Sequence, residues 1–185
     1  MNAITMNKVL EGLDDFELLS LIATQQDKAA LAEFYNRYRK SLGGFLRGRL
    51  YQDKLVDEVY NDVMLTVWQK AAAFRNESKV STWVFGIAYR TCLSHSRKEL
   101  KHTANSSDMD MQTMTDEQDS ELVEHLRAAV TELSDDHKMV VELAYFYGHS
   151  TAEIADIMRC PINTVKTRLF HARKNLKHII EKQYA

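Results

Sequence analysis

Between Ser150 and Lys177 the chain reads STAEIADIMRCPINTVKTRLFHARKNLK, which leaves little freedom in what it can become. Ser150 followed by Glu153 matches the S-x-x-E capping box of a helix start. Ile154, Ala155, Ile157 and Met158 then give a short helix its buried side. The only proline of the chain, Pro161, follows Cys160 and suits the first turn of a second helix. From there Val165, Leu169, Ala172, Leu176 and Ile179 recur at spacings of four, three, four and three, which places them in one stripe.

The face opposite that stripe carries Asn163, Thr167, Phe170, His171 and Lys174, flanked by Thr164, Lys166, Arg168 and Arg173. Seven Lys or Arg lie between Arg159 and Lys182 against one acid, Glu181, so a phosphate backbone is attracted to this face. Phe170 is the odd member, and an apolar contact to a thymine methyl would use it. Two short helices, a tight turn and a basic second face predict a helix-turn-helix that lays one helix in the DNA major groove. A basic surface helix on a small bundle is the simpler alternative.

At 185 residues the chain fits one large or two small domains. A composition break favours two. His102 to Met114 is polar and aperiodic, and Thr103 to Glu124 holds seven acids (Asp108, Asp110, Asp116, Glu117, Asp119, Glu121, Glu124) and no Lys or Arg. That is the signature of an acidic linker. Six Gly and one Pro are too few for a turn-rich β fold, and helical periodicity dominates both blocks, so the expected class is all-α. Cys92 and Cys160 fall in different blocks without metal spacing and are expected to be reduced thiols. No apolar run reaches the ~18 residues of a membrane span, and no secretion signal opens the chain, so a cytoplasmic protein is expected. The net charge is only −2, but it is segregated: basic from Arg75 to Lys101 and around the last helix, acidic between.

In the first block Asp14 or Asp15 can cap a helix running towards Ile22, and Leu31, Phe34, Tyr35, Tyr38 and Leu42 imply a second. Gly43, Gly44 and Gly48 are expected to weaken the segment after Leu42, with a turn at Tyr51 to Lys54. A third helix, about Leu55 to Phe74, buries Val56, Val59, Tyr60, Val63 and Val67. Its other side shows Asp57, Glu58, Asn61, Asp62 and Leu65, with Trp68 at the margin. That side is either a small interaction patch or a solvated acidic face with a stray leucine. A polar loop then leads into a helix from about Val80 to Leu100, in which Val84, Ile87, Ala88, Thr91 and His95 share a face. Trp83, Tyr89, Arg90, Arg97, Lys98 and Lys101 add aromatic and basic character suited to single-stranded DNA, although Trp83 also reads as a core residue. No nucleophile–base pair, metal spacing or phosphate loop appears, and His137, His149, His171 and His178 are scattered, so neither an enzyme nor a cofactor is expected.

Taken together the two blocks resemble the sigma-70 family of RNA polymerase sigma factors, in its small extracytoplasmic-function group. LAEFYNRYRKSLGGFL, VDEVYNDVMLTVWQKAAAF and FRNESKVSTWVFGIAYR resemble the family's region 2. TELSDDHKMVVELAYFYGHSTAEIADIMRCPINTVKTRLFHARKNL resembles its region 4. DVMLTVWQKA is also similar to the subgroup that responds to photo-oxidative stress under a zinc-binding anti-sigma protein. The resemblance implies a region 2 domain over 1–101, a linker over 102–119 and a region 4 domain over 120–185. It implies that Asp57, Glu58, Asn61, Asp62, Leu65 and Trp68 dock on the β′ subunit of core RNA polymerase, and that the linker threads towards the polymerase's RNA exit path. Arg75, Asn76, Glu77, Ser78, Lys79 and Ser81, with Trp83, Arg90, Arg97 and Lys98, would capture and melt the minus-ten element. Asn163, Thr164, Lys166, Thr167, Arg168, Phe170, His171, Arg173 and Lys174 would read the minus-thirty-five element. Promoter DNA, the polymerase β′ and β subunits and an anti-sigma factor are the implied partners. Arg90 and Ser94 stand where the family usually has Asn and Asp, and Asn163 where it often has Gly. The residues by themselves also leave open a stand-alone helix-turn-helix regulator, or a protein that sequesters another factor through its acidic helix.

Overall fold

The computed structural model describes residues 8–50, 53–102 and 128–183, and for 53, 96–102 and 183 the backbone alone. Every element among the described residues is helical, and the chain divides into two compact units, Met1–Thr113 and Met114–Ala185. Beyond His102 the expected linker, with its acids, lies outside the described residues.

In the first unit α1 (Asp15–Gln25) starts at a full capping box. Glu17 N–H donates to Asp14 Oδ1 at 2.8 Å and Asp14 N–H to Glu17 Oε2 at 2.7 Å, so Asp14 is the cap. Asp15 lies inside the first turn instead, where its carboxylate accepts from Tyr38 Oη at 2.5 Å and Arg37 Nη1 at 3.0 Å. Arg37 Nη1 also donates to the Leu13 carbonyl at 2.9 Å, which ties the start of α1 to the middle of α2. Asp27 caps α2 (Lys28–Arg47) by accepting from Ala29 and Ala30 N–H.

The expected weakening at Gly43 and Gly44 does not occur, since α2 runs through both and ends with Gly48 as its cap. Phe45 and Leu46, directly after them, are fully buried, and that packing outweighs the cost of about 1 kcal/mol per glycine. Of the expected turn, Tyr51 and Gln52 lie outside the described residues, and α3 (Asp53–Lys70) already contains Asp53 and Lys54.

The buried side of α3 is Val56, Val59, Tyr60, Val63 and Val67, as the periodicity predicts, with Met64 added. Its end differs from expectation. A 3₁₀ turn, Ala71–Ala73, replaces the last helical turn, and Phe74 is extended. This rotates the Phe74 ring into the seam between Phe16 and Trp83, with centroids 6.5 and 5.4 Å away. The last described helix of the unit, α4 (Val80–His102), buries Val84, Phe85, Ile87, Ala88 and Cys92, while Thr91 and His95 are half-buried.

In the second unit a helical turn at 128–131 precedes α5 (Asp135–Val141), which continues as a π turn, Glu142–Phe146. Gly148, at φ 70°, ends it in the left-handed conformation that glycine adopts without steric cost. The expected capping box begins α6 (Thr151–Met158), with Ser150 N–H donating to Glu153 Oε2 at 2.7 Å. Arg159 closes α6 at φ 51° and Cys160 N–H returns to the Ala155 carbonyl, so a non-glycine residue makes the tight turn. Pro161 stands just before α7 (Ile162–Gln183) rather than in it, and its carbonyl accepts from Thr164 N–H at 2.9 Å. Ile154, Ala155, Ile157 and Met158 pack with Val165, Leu169, Ala172 and Leu176 as one core, and Ile179 is half-buried.

Candidate nucleic-acid and protein interfaces

The outward side of α3 presents Asp57, Glu58, Asn61 and Leu65 to solvent, with Leu65 53% exposed. Trp68 is half-buried at the margin. Two of the polar candidates are held by neighbours. Asn61 Oδ1 accepts from Tyr35 Oη at 3.2 Å, and Asp62 Oδ2 lies 3.0 Å from His95 Nε2 of α4. Tyr60 beneath them donates to the Tyr35 carbonyl, and burial pushes its hydroxyl well above the ordinary tyrosine range, so it stays a donor. The free acidic edge of α3 is therefore narrower than its composition, and Leu65 sits in it as an apolar centre.

The loop after Phe74 is polar and largely exposed. Asn76 adopts φ 56°, which Asn tolerates better than most residues. Arg75 and Glu77 point outwards 3.8 Å apart, Lys79 is exposed, Ser78 and Ser81 are half-buried, and Ser78 Oγ donates weakly to the Lys79 carbonyl at 3.5 Å. Trp83 is half-buried against Phe74, so the ring is shared between packing and surface. Arg90 folds back along α4, and a Cβ on Gly86 would meet its Nη1 at 3.1 Å. Arg97 and Lys98 lie on the last turns of α4, and their side chains are outside the described part.

On α7 the structure leaves Asn163, Lys166, Thr167, Phe170, His171, Arg173 and Lys174 on the surface, with Phe170 63% exposed. Thr164 and Arg168 are half-buried at the edge of the stripe. Arg168 Nη2 donates to Asp136 Oδ2 of α5 at 2.5 Å. His171 is edge-on to Phe170 at 5.3 Å and stacks on His137 at 6.4 Å. Asp136 and His137 thus belong to the edge of this face although they lie more than 30 residues away, and no local sequence signal marks them. Tyr145 and Phe146 are exposed on the π turn, and no local sequence signal marks them either. A π turn leaves the helical period on which such a reading depends.

Among the described residues no group of three or more His, Cys, Asp or Glu could hold a metal ion, and no helix is long and apolar enough to cross a membrane. Cys92 is buried, Cys160 half-buried, and neither forms a disulfide.

Residues 34–101 match Sigma-70 region 2 and residues 124–176 match Sigma-70 region 4, in that order. The chain belongs to the sigma-70 family. The ECF RNA polymerase sigma-E factor of Haemophilus influenzae is 27% identical over 186 residues, covering 92% of this chain and 97% of the relative. The ECF RNA polymerase sigma factor RpoE of Cereibacter sphaeroides is 27% identical over 165 residues, covering 86% and 91%. This sigma factor is therefore of the extracytoplasmic-function group. It shares its fold with CnrH, solved in complex with the cytosolic domain of CnrY (TM-score 0.65, 18% identity, covering 91% of this chain and 97% of that one). It also shares it with RpoE of Bartonella quintana, co-crystallised with the anti-sigma factor NepR (TM-score 0.65, 20% identity, covering 80% and 98%).

Proposed function

We propose that this sigma factor binds core RNA polymerase through the Leu65-centred edge of α3 and carries it to promoters whose two elements its two units read separately. Residues 1–101 act as the polymerase-binding and minus-ten unit, 102–119 as the linker and 120–185 as the minus-thirty-five unit. Asp57, Glu58, Asn61, Asp62, Leu65 and Trp68 contact the β′ subunit. The Arg75–Ser81 loop, with Trp83, Arg90, Arg97 and Lys98, takes the unpaired minus-ten strand. Asn163, Thr164, Lys166, Thr167, Arg168, Phe170, His171, Arg173 and Lys174 face the minus-thirty-five duplex. The protein has no catalytic activity of its own and works in the cytoplasm. An anti-sigma factor holds it inactive until a stress signal, a reading supported by the two proteins of the same fold, both solved with a protein bound.

One observation carries the proposal. A half-exposed leucine stands in an acidic edge on one unit, and a face of cations, hydroxyls and one exposed phenylalanine stands on the other. Two modest binding surfaces in one chain gain their strength from linkage, since the second contact is made at the effective concentration the first one sets. Reconstitution with core polymerase tests this. Co-elution with core and run-off transcription from a cognate promoter are expected. Tight, polymerase-independent binding to a palindromic operator would instead identify a free regulator.

A further inference from the structure

We propose that the groove between α1 and the 3₁₀ turn of α3 is a second nucleobase site, taking the unpaired base next to the one captured by the Arg75–Ser81 loop. The inference rests on the minus-ten role proposed above and adds a site to it. The groove has a volume of about 240 Å³. Leu19 and Ala71, both nearly inaccessible, line it together with the rings of Phe16 and Phe74, whose centroids are 6.5 Å apart. That is room for one planar heterocycle and too little for a helix with its side chains.

Three features favour a base as the occupant. First, Phe16 is 44% exposed at the start of a well-capped helix, an apolar ring kept in water by a rigid element. Second, the rings are continuous. Trp83, Phe74 and Phe16 follow one another at 5.4 and 6.5 Å, leading from the first turn of α4 past the root of the loop to α1. Successive aromatic side chains, here tilted by 55° and 53° to their neighbours, are how sequence-tolerant single-strand sites are built. Third, the charge is right. All the lining side chains are uncharged, while Lys70 and Arg75, adjacent in sequence to Ala71 and Phe74, are exposed at the surface where phosphates would run. Thr24 on the rim donates its hydroxyl to the Ser20 carbonyl at 2.8 Å, which leaves its oxygen to accept from a base amine.

The test uses holoenzyme reconstituted with core polymerase and forked promoter DNA whose non-template minus-ten strand is unpaired. Abasic sites are placed in that strand one position at a time. The wild type is expected to lose affinity at the captured base and at one neighbour. Phe16→Ala is expected to bind the intact fork at least about fivefold more weakly, the lower end of one base–aromatic stack. It should no longer respond to the abasic neighbour while still responding at the captured base. Phe16→Tyr, which keeps a platform, should restore both. Unchanged affinity in a folded Phe16→Ala holoenzyme overturns the proposal, as does a weakening that leaves the full abasic profile intact. A loss confined to anti-sigma or polymerase binding would make the groove a protein site and also overturns it. A wild-type holoenzyme that does not bind the fork at all removes the minus-ten reading and this inference together, so the two failures are distinguishable.

Discussion

Replacing Leu65 is the sharpest test of the α3 edge. Fully burying a leucine side chain is worth about 1.5–3 kcal/mol. Leu65 is 53% exposed, so about 0.8–1.6 kcal/mol remains for a partner to gain. Leu65→Ala should therefore weaken core binding by about 4- to 15-fold. Leu65→Arg loses the same contact and forces a guanidinium into an apolar spot with no partner built for it. Adding at least ~2 kcal/mol for that burial brings the loss to about a hundredfold or more. The fold should not change, because an exposed helical position with Leu and Arg of similar propensity stays within about 0.5 kcal/mol. Fluorescence titration of labelled protein with core polymerase gives the Kd, and thermal melting gives the stability. A Leu65→Arg variant that melts like wild type and binds core within about twofold of it would show the edge is a solvated face, and the reasoning would fail.

Three further outcomes are expected. Burial foremost, aided by Asp15 for Tyr38 and by Tyr35 for Tyr60, holds both hydroxyls above the ordinary range. Their stabilisation is complete below about pH 10 and falls as pH rises past it, by about 1.4 kcal/mol per unit for each, because the unfolded chain ionises first. Tyr60→Phe should lower stability at pH 7 by about 1 kcal/mol through the lost bond to Tyr35, yet lessen the alkaline slope seen in denaturant melts, and an unchanged slope would contradict this. Arg159→Gly relieves a left-handed cap, typically about 1–2 kcal/mol of strain, against about 0.5–1 kcal/mol of added chain entropy, so unit 2 should melt at a higher temperature, with a lower one counting against the strain. Lys166→Ala should reduce the salt slope of promoter binding by about 0.9 if it meets a phosphate, whereas Phe170→Ala should relax sequence preference and leave the slope alone.

Much of this molecule is legible in its sequence because its elements obey local rules. The Ser150–Glu153 box, the α3 stripe and the Val165-to-Leu176 stripe are set by capping and by the 3.6-residue period, and the structure reproduces them. Where sequence and structure part, the cause is tertiary. Gly43 and Gly44 stay helical because Phe45 and Leu46 are fully buried just beyond them, and Phe74 leaves the helix to pack between two distant rings.

The same limit governs the proposed binding residues, and it has an energetic consequence. Sequence gives a side chain's charge but not its partner in the uncomplexed fold. Asp62 lies against His95 and Arg168 is bonded to Asp136. In the proposed function each exchanges that partner for polymerase or DNA before contributing to binding. Half-exposed pairs of this kind are worth up to about 1 kcal/mol, so these residues begin with a cost that Leu65, Lys166 and Phe170 do not carry. Equal substitutions should therefore have unequal effects. Arg168→Ala should weaken promoter binding less than Lys166→Ala does, and Asp136→Asn, which releases Arg168, should strengthen it about two- to fivefold. If Asp136→Asn instead weakens binding, Asp136 serves to aim Arg168 at the DNA, and the exchange argument fails for this pair.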